Sequence, residues 1–179
     1  MITLTETAWG GWQHAYTLTN GMIDVIFPAE VGIRLLHFGF SGQPGVLATN
    51  PAQLGMTGGD EWRIYGGHRL WHAPEDRART YAPDNAPIQV QALSDGVRLT
   101  QSVEASTGIA KQLEISMSPD RAELTLTHRL TNTNLWAVEC AAWALSVMQT
   151  DGTAILPLPP YRSHTDQLTP AGALVVWAY

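Results

Sequence analysis

Short runs in which apolar and polar residues alternate recur along the chain, and they predict strands. Met22 to Phe27 is a brief apolar run closed by Pro28. Gly32 to Phe40 is a second, closed by the turn cluster Ser41-Gly42-Gln43-Pro44-Gly45. Ile88 to Leu93 alternates, Asp95-Gly96 follows, and Val97, Leu99, Gln101 and Val103 alternate again. An Asp-Gly turn between two alternating runs is a strong hairpin signal. Leu113, Ile115 and Met117 mark the next strand, and Ser118-Pro119-Asp120 turns the chain. Leu124, Leu126, His128 and Leu130 then share one face, with Thr125, Thr127, Arg129 and Thr131 on the other.

After the turn Asn132-Thr133-Asn134, the residues from Val138 to Met148 are almost continuously apolar. They predict a strand buried on both faces. A buried helix is the rival reading, and Val138, Trp143 and Val147 favour the strand. Leu174 to Tyr179 reads as a further strand, expected to pair with something outside itself or to mark a chain cut short. No long amphipathic helix is predicted. Strands joined by short turns imply an all-β fold, an antiparallel β-sandwich, in one domain over residues 1–179. The stretch from Thr49 to Asn85 breaks the pattern. It is rich in Gly, Pro, charge and aromatic residues, including Trp62, Tyr65, Trp71 and Tyr81. Irregular segments of this length inside a domain are commonly functional.

Composition narrows the function. Apolar residues make up 45% of the 179 positions, ample for a core without disulfide or metal. The net charge is −6, and the ten Lys and Arg residues form no run. Nucleic acid and anionic membranes are therefore not expected partners. The first residues lack a signal-peptide pattern, and no apolar run approaches the length of a membrane helix, so a soluble, cytoplasmic protein is expected. The single cysteine, Cys140, lies in an apolar stretch and reads as a small buried hydrophobe.

The densest chemistry runs from Gly58 to Asp76, where two His, two Trp, Arg63, Arg69 and four acidic residues fall together. Carboxylates, imidazoles and guanidinium groups hydrogen-bond sugar hydroxyls, and indole faces stack on sugar rings. On a strand, His68, Leu70 and His72 would face one way and Arg69 and Trp71 the other. His68 and His72 are the acid–base candidates, because imidazole titrates near neutrality. The other reading is that both only bond loop backbone. Two histidines with no third ligand at a metal-binding spacing make no metal motif, and no cofactor is expected. His128 occupies an apolar register, as a satisfied core histidine or as part of an open site. Arg34 is either ligand-facing or paired with a carboxylate.

Gly32-Ile33-Arg34-Leu35, the segment from Tyr65 to Glu75 and the segment from Ala142 to Met148 together resemble a bacterial family within the galactose-mutarotase-like (aldose 1-epimerase-like) superfamily. The resemblance implies a large antiparallel sandwich, in incomplete form here, that binds a carbohydrate. It implies a mutarotase- or epimerase-like reaction at the anomeric centre of a hexose or derivative. His68 would fall at the family's first sugar-binding histidine, and Arg34, Arg69, Trp71, Glu75, His128 and Trp143 would contact the sugar. Trp143 stands where the family carries its general-acid histidine, and the family's general-base glutamate falls beyond residue 179. A non-catalytic sugar-binding or sensory domain follows as the second reading. An assembly module, homodimeric through its last strand, is the third.

Overall fold

The structure is a computed structural model that describes residues 1–150 and 152–176. Its first two strands lie in a stretch where alternation gives no clear signal. Thr3–Trp9 (β1) and Trp12–Thr19 (β2) pair antiparallel, with Trp9 opposite Trp12. The Gly10-Gly11 link has φ values of 58° and 94°. A two-residue hairpin loop of the I′ type needs positive φ at both positions, which glycine adopts without steric cost.

Ile23–Pro28 (β3) and His37–Phe40 (β4) complete a sheet of order β1-β2-β3-β4. The run predicted from Gly32 to Phe40 is thus only half a strand in this sheet. Leu35 leaves it and exchanges two backbone hydrogen bonds with His68, at 3.0 and 2.8 Å. A second antiparallel sheet contains Gln89–Ala92 (β6), Gly96–Thr100 (β7), Ile109–Met117 (β8) and Leu124–Asn132 (β9), in that order. The Asp95-Gly96 hairpin joins β6 to β7, with Ala92 opposite Val97.

The two sheets bury their inner faces against each other. Leu18, Ile23, Val25 and Phe27 from the first meet Val97, Leu99, Leu113, Ile115 and Met117 from the second in one apolar cluster. Each fully buried aliphatic side chain contributes about 1.5–3 kcal/mol. Strand alternation sets which residues enter this core. β8 turns Ile109, Lys111, Leu113, Ile115 and Met117 inward, so a charged lysine stands in the core register. A smaller cluster of Trp12, Val31, Leu36 and Tyr65 lies apart from it.

His68–Ala73 (β5) and Ala141–Ser146 (β10) form an antiparallel ribbon. Bridges Leu35–His68, Leu47–Met148 and Thr49–Gly66 tie this region together. The fold is all-β and its sheets are antiparallel, consistent with a β-sandwich. No helix among the described residues is long and apolar enough to cross a membrane.

Two expectations at the C-terminal end are corrected. The run from Val138 to Met148 is not buried on both faces. Only Ala141–Ser146 forms a strand, and Ala141, Ala142, Ala144 and Ser146 are exposed. β10 has a ladder partner on one edge only among the described residues, so its apolar sequence is not matched by cover. For the same reason Cys140 is an exposed free thiol rather than a buried one. Leu135, Trp136, Ile155, Leu156 and Leu158 are also exposed. Leu174 to Val176 form no strand, and Trp177, Ala178 and Tyr179 lie outside the described residues.

Candidate functional site

The site grows from the way β5 enters the fold. Gly67 N donates to Ala48 O at 2.8 Å, just before His68 pairs with Leu35. A Cβ on Gly66 would lie 2.3 Å from Ala48 O, and one on Gly67 would lie 1.9 Å from Leu35 O. Both residues also have positive φ, 97° and 70°. The Gly-Gly pair is therefore what lets this strand pass so close to its neighbours. Tyr65, just before it, is a non-glycine residue at φ 53°. Such a conformation costs about 1–3 kcal/mol and persists where surroundings over-determine it. Here the Tyr65 ring is fully buried beneath the Arg34 guanidinium, 4.3 Å from its centroid. Its hydroxyl lies 3.2 Å from both Met56 O and Asn85 Oδ1, and accepts from Arg63 Nη1 at 3.1 Å.

β5 then divides its side chains between two faces. His68, Leu70 and His72 point toward β8 and β9. His68 Nε2 meets His128 Nε2 at 2.9 Å, and His68 Nδ1 lies 2.7 Å from Ser146 Oγ. Two imidazole nitrogens in contact require one donor and one acceptor, so a single proton is shared across this bond. Burial lowers the pKa of His68. Burial, with the neighbouring His68, pushes His128 down to about 4. His128, His68 and Ser146 thus form one hydrogen-bonded chain across β9, β5 and β10.

Deeper on this face lie charges. His72 is buried, with Nε2 3.8 Å from Glu104 Oε2, and Glu104 also takes the Lys111 ammonium. Arg34 Nη2 contacts Asp84 Oδ1 at 2.6 Å, an ion pair whose angle is poor for a hydrogen bond. Burial raises the Asp84 pKa, but Arg34, Arg69 and Lys111 outweigh it and hold the carboxyl below its ordinary value.

The other face carries Arg69 and Trp71. The Arg69 guanidinium lies 4.4 Å from the Trp71 ring centroid and 5.2 Å from that of Trp62. Trp71 packs edge-on against Trp143 and Tyr81, both at 5.3 Å, and Trp62 meets Tyr81 at 5.2 Å. Beside these rings opens a cleft of about 730 Å³, lined by Asp60, Trp62, Glu75, Asp76, Arg77 and Tyr81. The Tyr81 hydroxyl donates to the Glu75 carboxylate. Asp76 is spent on the turn that follows it, accepting from the backbone N–H groups of Ala78 and Arg79 at 3.0 and 3.2 Å. A small cavity of about 60 Å³ lies among Trp62, Gly66, Gly67, Arg69, Trp71 and Leu145. A further open depression of about 670 Å³, bordered by Glu30, Asp60, Asn85 and Glu104, has no aromatic wall.

The residues singled out from the sequence therefore fall into three groups. Arg69, Trp71 and Trp143 share the outer face of the ribbon, with Glu75 at the cleft. His68, His72 and His128 share the inner side. Arg34 takes the carboxylate-paired environment, fully buried behind Tyr65. Trp62 and Tyr81, which the sequence marks only as aromatics within an irregular stretch, prove to be walls of the cleft. Ser146, Asp84, Glu104 and Lys111 join the site without having been expected there. Lys111, alternating with Ile109 and Leu113, carries a usable signal, since a lysine in a core register needs a buried partner. Among the described residues, no three His, Cys, Asp or Glu side chains are grouped to hold a metal ion. In comparison with known proteins, the chain matches no family model, no curated protein and no solved structure.

Proposed function

We propose that the protein is a carbohydrate-binding sandwich of the galactose-mutarotase-like type that takes a monosaccharide at the outer face of the β5/β10 ribbon. The observation that carries this reading is the cluster of Trp62, Trp71, Tyr81 and Trp143 beside a cleft edged by Asp60 and Glu75. Trp62 and Tyr81, the partly exposed rings that line the cleft, offer apolar surface to the C–H side of a pyranose, and carboxylates at the rim accept from its hydroxyls. Proton NMR of a panel of aldoses tests it. Line broadening for at least one sugar, lost in Trp62→Ala, is the expected result. No broadening at millimolar sugar overturns it.

A second reading, epimerisation at the anomeric carbon of a sugar held on the inner side of β5 instead of at the outer cleft, is favoured by the His68–His128 contact. Imidazole moves protons in general acid–base catalysis, and His68 would do so by releasing one of its ring nitrogens from His128 or Ser146 to the sugar. Faster anomer exchange, abolished by His68→Ala, supports it. Broadening without faster exchange leaves binding alone.

A further inference from the structure

Ser146 and His68 stand directly opposite each other in the β5/β10 ribbon. His68 gives its backbone N–H and C=O to Leu35, at 2.8 and 3.0 Å, while Val147 donates to Gly67. The Ser146–His68 pair is therefore of the non-hydrogen-bonded kind, in which facing side chains lie closest. That register brings Ser146 Oγ to 2.7 Å from His68 Nδ1. The second ring nitrogen of His68, Nε2, meets His128 Nε2 at 2.9 Å, and the β8/β9 ladder fixes His128 opposite Leu113. A hydroxyl and two imidazoles thus stand in line, each within hydrogen-bond reach of the next. This is the arrangement of a nucleophile, its base and a group that orients the base.

The hydroxyl end of the line is open. Ser146 is exposed, and so are Ala142 and Ala144 on the same face of β10. Only methyl groups flank the hydroxyl along that face of the strand. His68 and His128 are partly buried. Burial lowers the pKa of His68, which leaves the ring free to accept a proton near neutral pH. Because His68 bonds Leu35, the Ser146 N–H points the other way, toward an edge of β10 with no ladder partner among the described residues. The N–H of the nucleophile's own residue is one of the donors that serve a developing oxyanion in serine hydrolysis.

We propose that Ser146, His68 and His128 form a nucleophilic centre that hydrolyses small activated carboxylic esters. Ser146 Oγ–H donates to His68 Nδ1, and His68 Nε2–H donates to His128 Nε2. Oγ attacks the ester carbonyl carbon as its proton passes to His68 Nδ1. The C–O bond to the alcohol then breaks, and His68 hands that proton to the leaving oxygen. Water attacks the acyl-serine and gives a proton to His68, and the acid departs as Ser146 Oγ takes the proton back. Ester and water become acid and alcohol, with no other reactant. Ser146 and His68 are catalytic residues, and His128 is a positioning residue that keeps the His68 ring proton on Nε2. With an imidazole in place of an orienting carboxylate, the centre is suited to good leaving groups. The proposal is independent of sugar binding at the outer cleft, which lies on the other side of β5.

Reaction with a fluorophosphonate tests it, with the labelled peptide located by mass spectrometry. The expected result is an Oγ–phosphorus bond at Ser146 with loss of fluoride, formed about a hundredfold faster than in urea-unfolded protein. His68→Gln should slow the labelling by about a hundredfold, the common worth of a general base. His128→Ala should slow it about tenfold, and His128→Gln, whose amide oxygen accepts the same bond, should restore it to within about threefold. Turnover of p-nitrophenyl acetate should fall about a hundredfold in Ser146→Ala. Labelling of Ser146 no faster in folded than in unfolded protein overturns the proposal, and that comparison needs no variant. Unchanged ester turnover in Ser146→Ala overturns it as well. Unchanged labelling in His128→Ala, or no restoration by glutamine, overturns the part assigned to His128.

Discussion

His68 and His128, sixty residues apart, meet through their Nε2 atoms at 2.9 Å, one from β5 and the other from β9. This contact links the ribbon that carries the candidate site to the second sheet of the sandwich. It also ties that link to pH.

Both imidazoles have pKa values below 6.5, His128 at about 4. An unfolded chain therefore takes up protons before the folded one does as pH falls. The stability that depends on the neutral pair is whole above pH 6.5 and is lost between pH 6.5 and about 4. Both side chains are partly open to solvent, so the loss is expected to be about 1–2 kcal/mol after screening. Urea denaturation near neutral pH and again near pH 4.5 measures it. His128→Gln should flatten the difference, and equal midpoints for the unmodified protein would refute the account.

Asp84→Asn should destabilise strongly. Arg34 is completely buried and its one ion-pair partner among the described residues is Asp84. Removing one charge of a buried pair strands the other, at a cost of about 3–5 kcal/mol. Replacing both residues with apolar ones should cost less than the single change. A double-mutant cycle in chemical denaturation distinguishes these outcomes.

At Gly67 even a methyl group is excluded. Its Cβ would sit 1.9 Å from Leu35 O, and the backbone is at φ 70°. Gly67→Ala should cost about 2–5 kcal/mol from strain and overpacking together. Gly42→Ala serves as the control. Gly42 also has positive φ, but nothing lies within 4 Å of the place its methyl group would take, so only the conformational cost of about 1 kcal/mol applies. Thermal melts of the two variants should differ clearly, and matching melting points would rule out close approach as the reason for Gly67.

For the carbohydrate reading, Trp62 is the informative position because it borders the cleft. Trp62→Ala should weaken sugar binding roughly tenfold, about 1.4 kcal/mol of stacking. Trp136→Ala, an exposed tryptophan away from the cleft, should leave affinity unchanged. Calorimetric titration compares the two, and equal losses would place the sugar elsewhere.

Much of the architecture is legible in the order of residues alone. The alternation of Leu124, Leu126, His128 and Leu130 with Thr125, Thr127, Arg129 and Thr131 matches the inner and outer faces of β9. Asp95-Gly96 turns where its chemistry demands. The division of β5 into a His68–His72 side and an Arg69–Trp71 side also follows from period alone. β1 and β2 are not legible in this way, because Thr-rich β1 has little contrast and β2 buries Trp12, Ala15 and Leu18 at intervals of three residues instead of two.

The sequence by itself determined the local backbone: extended where side chains alternate, bent where glycine and Asp-Gly permit it. Those are properties of neighbouring residues, and the chain carries them wherever it folds. Partners belong to the tertiary structure alone. That His68 finds His128, Arg34 finds Asp84 and Lys111 finds Glu104 depends on strand register and on which sheet faces which. The same holds for β10, whose apolar composition promised burial and whose neighbours withheld it. Burial is decided by what lies across the gap, and no run of residues encodes that on its own.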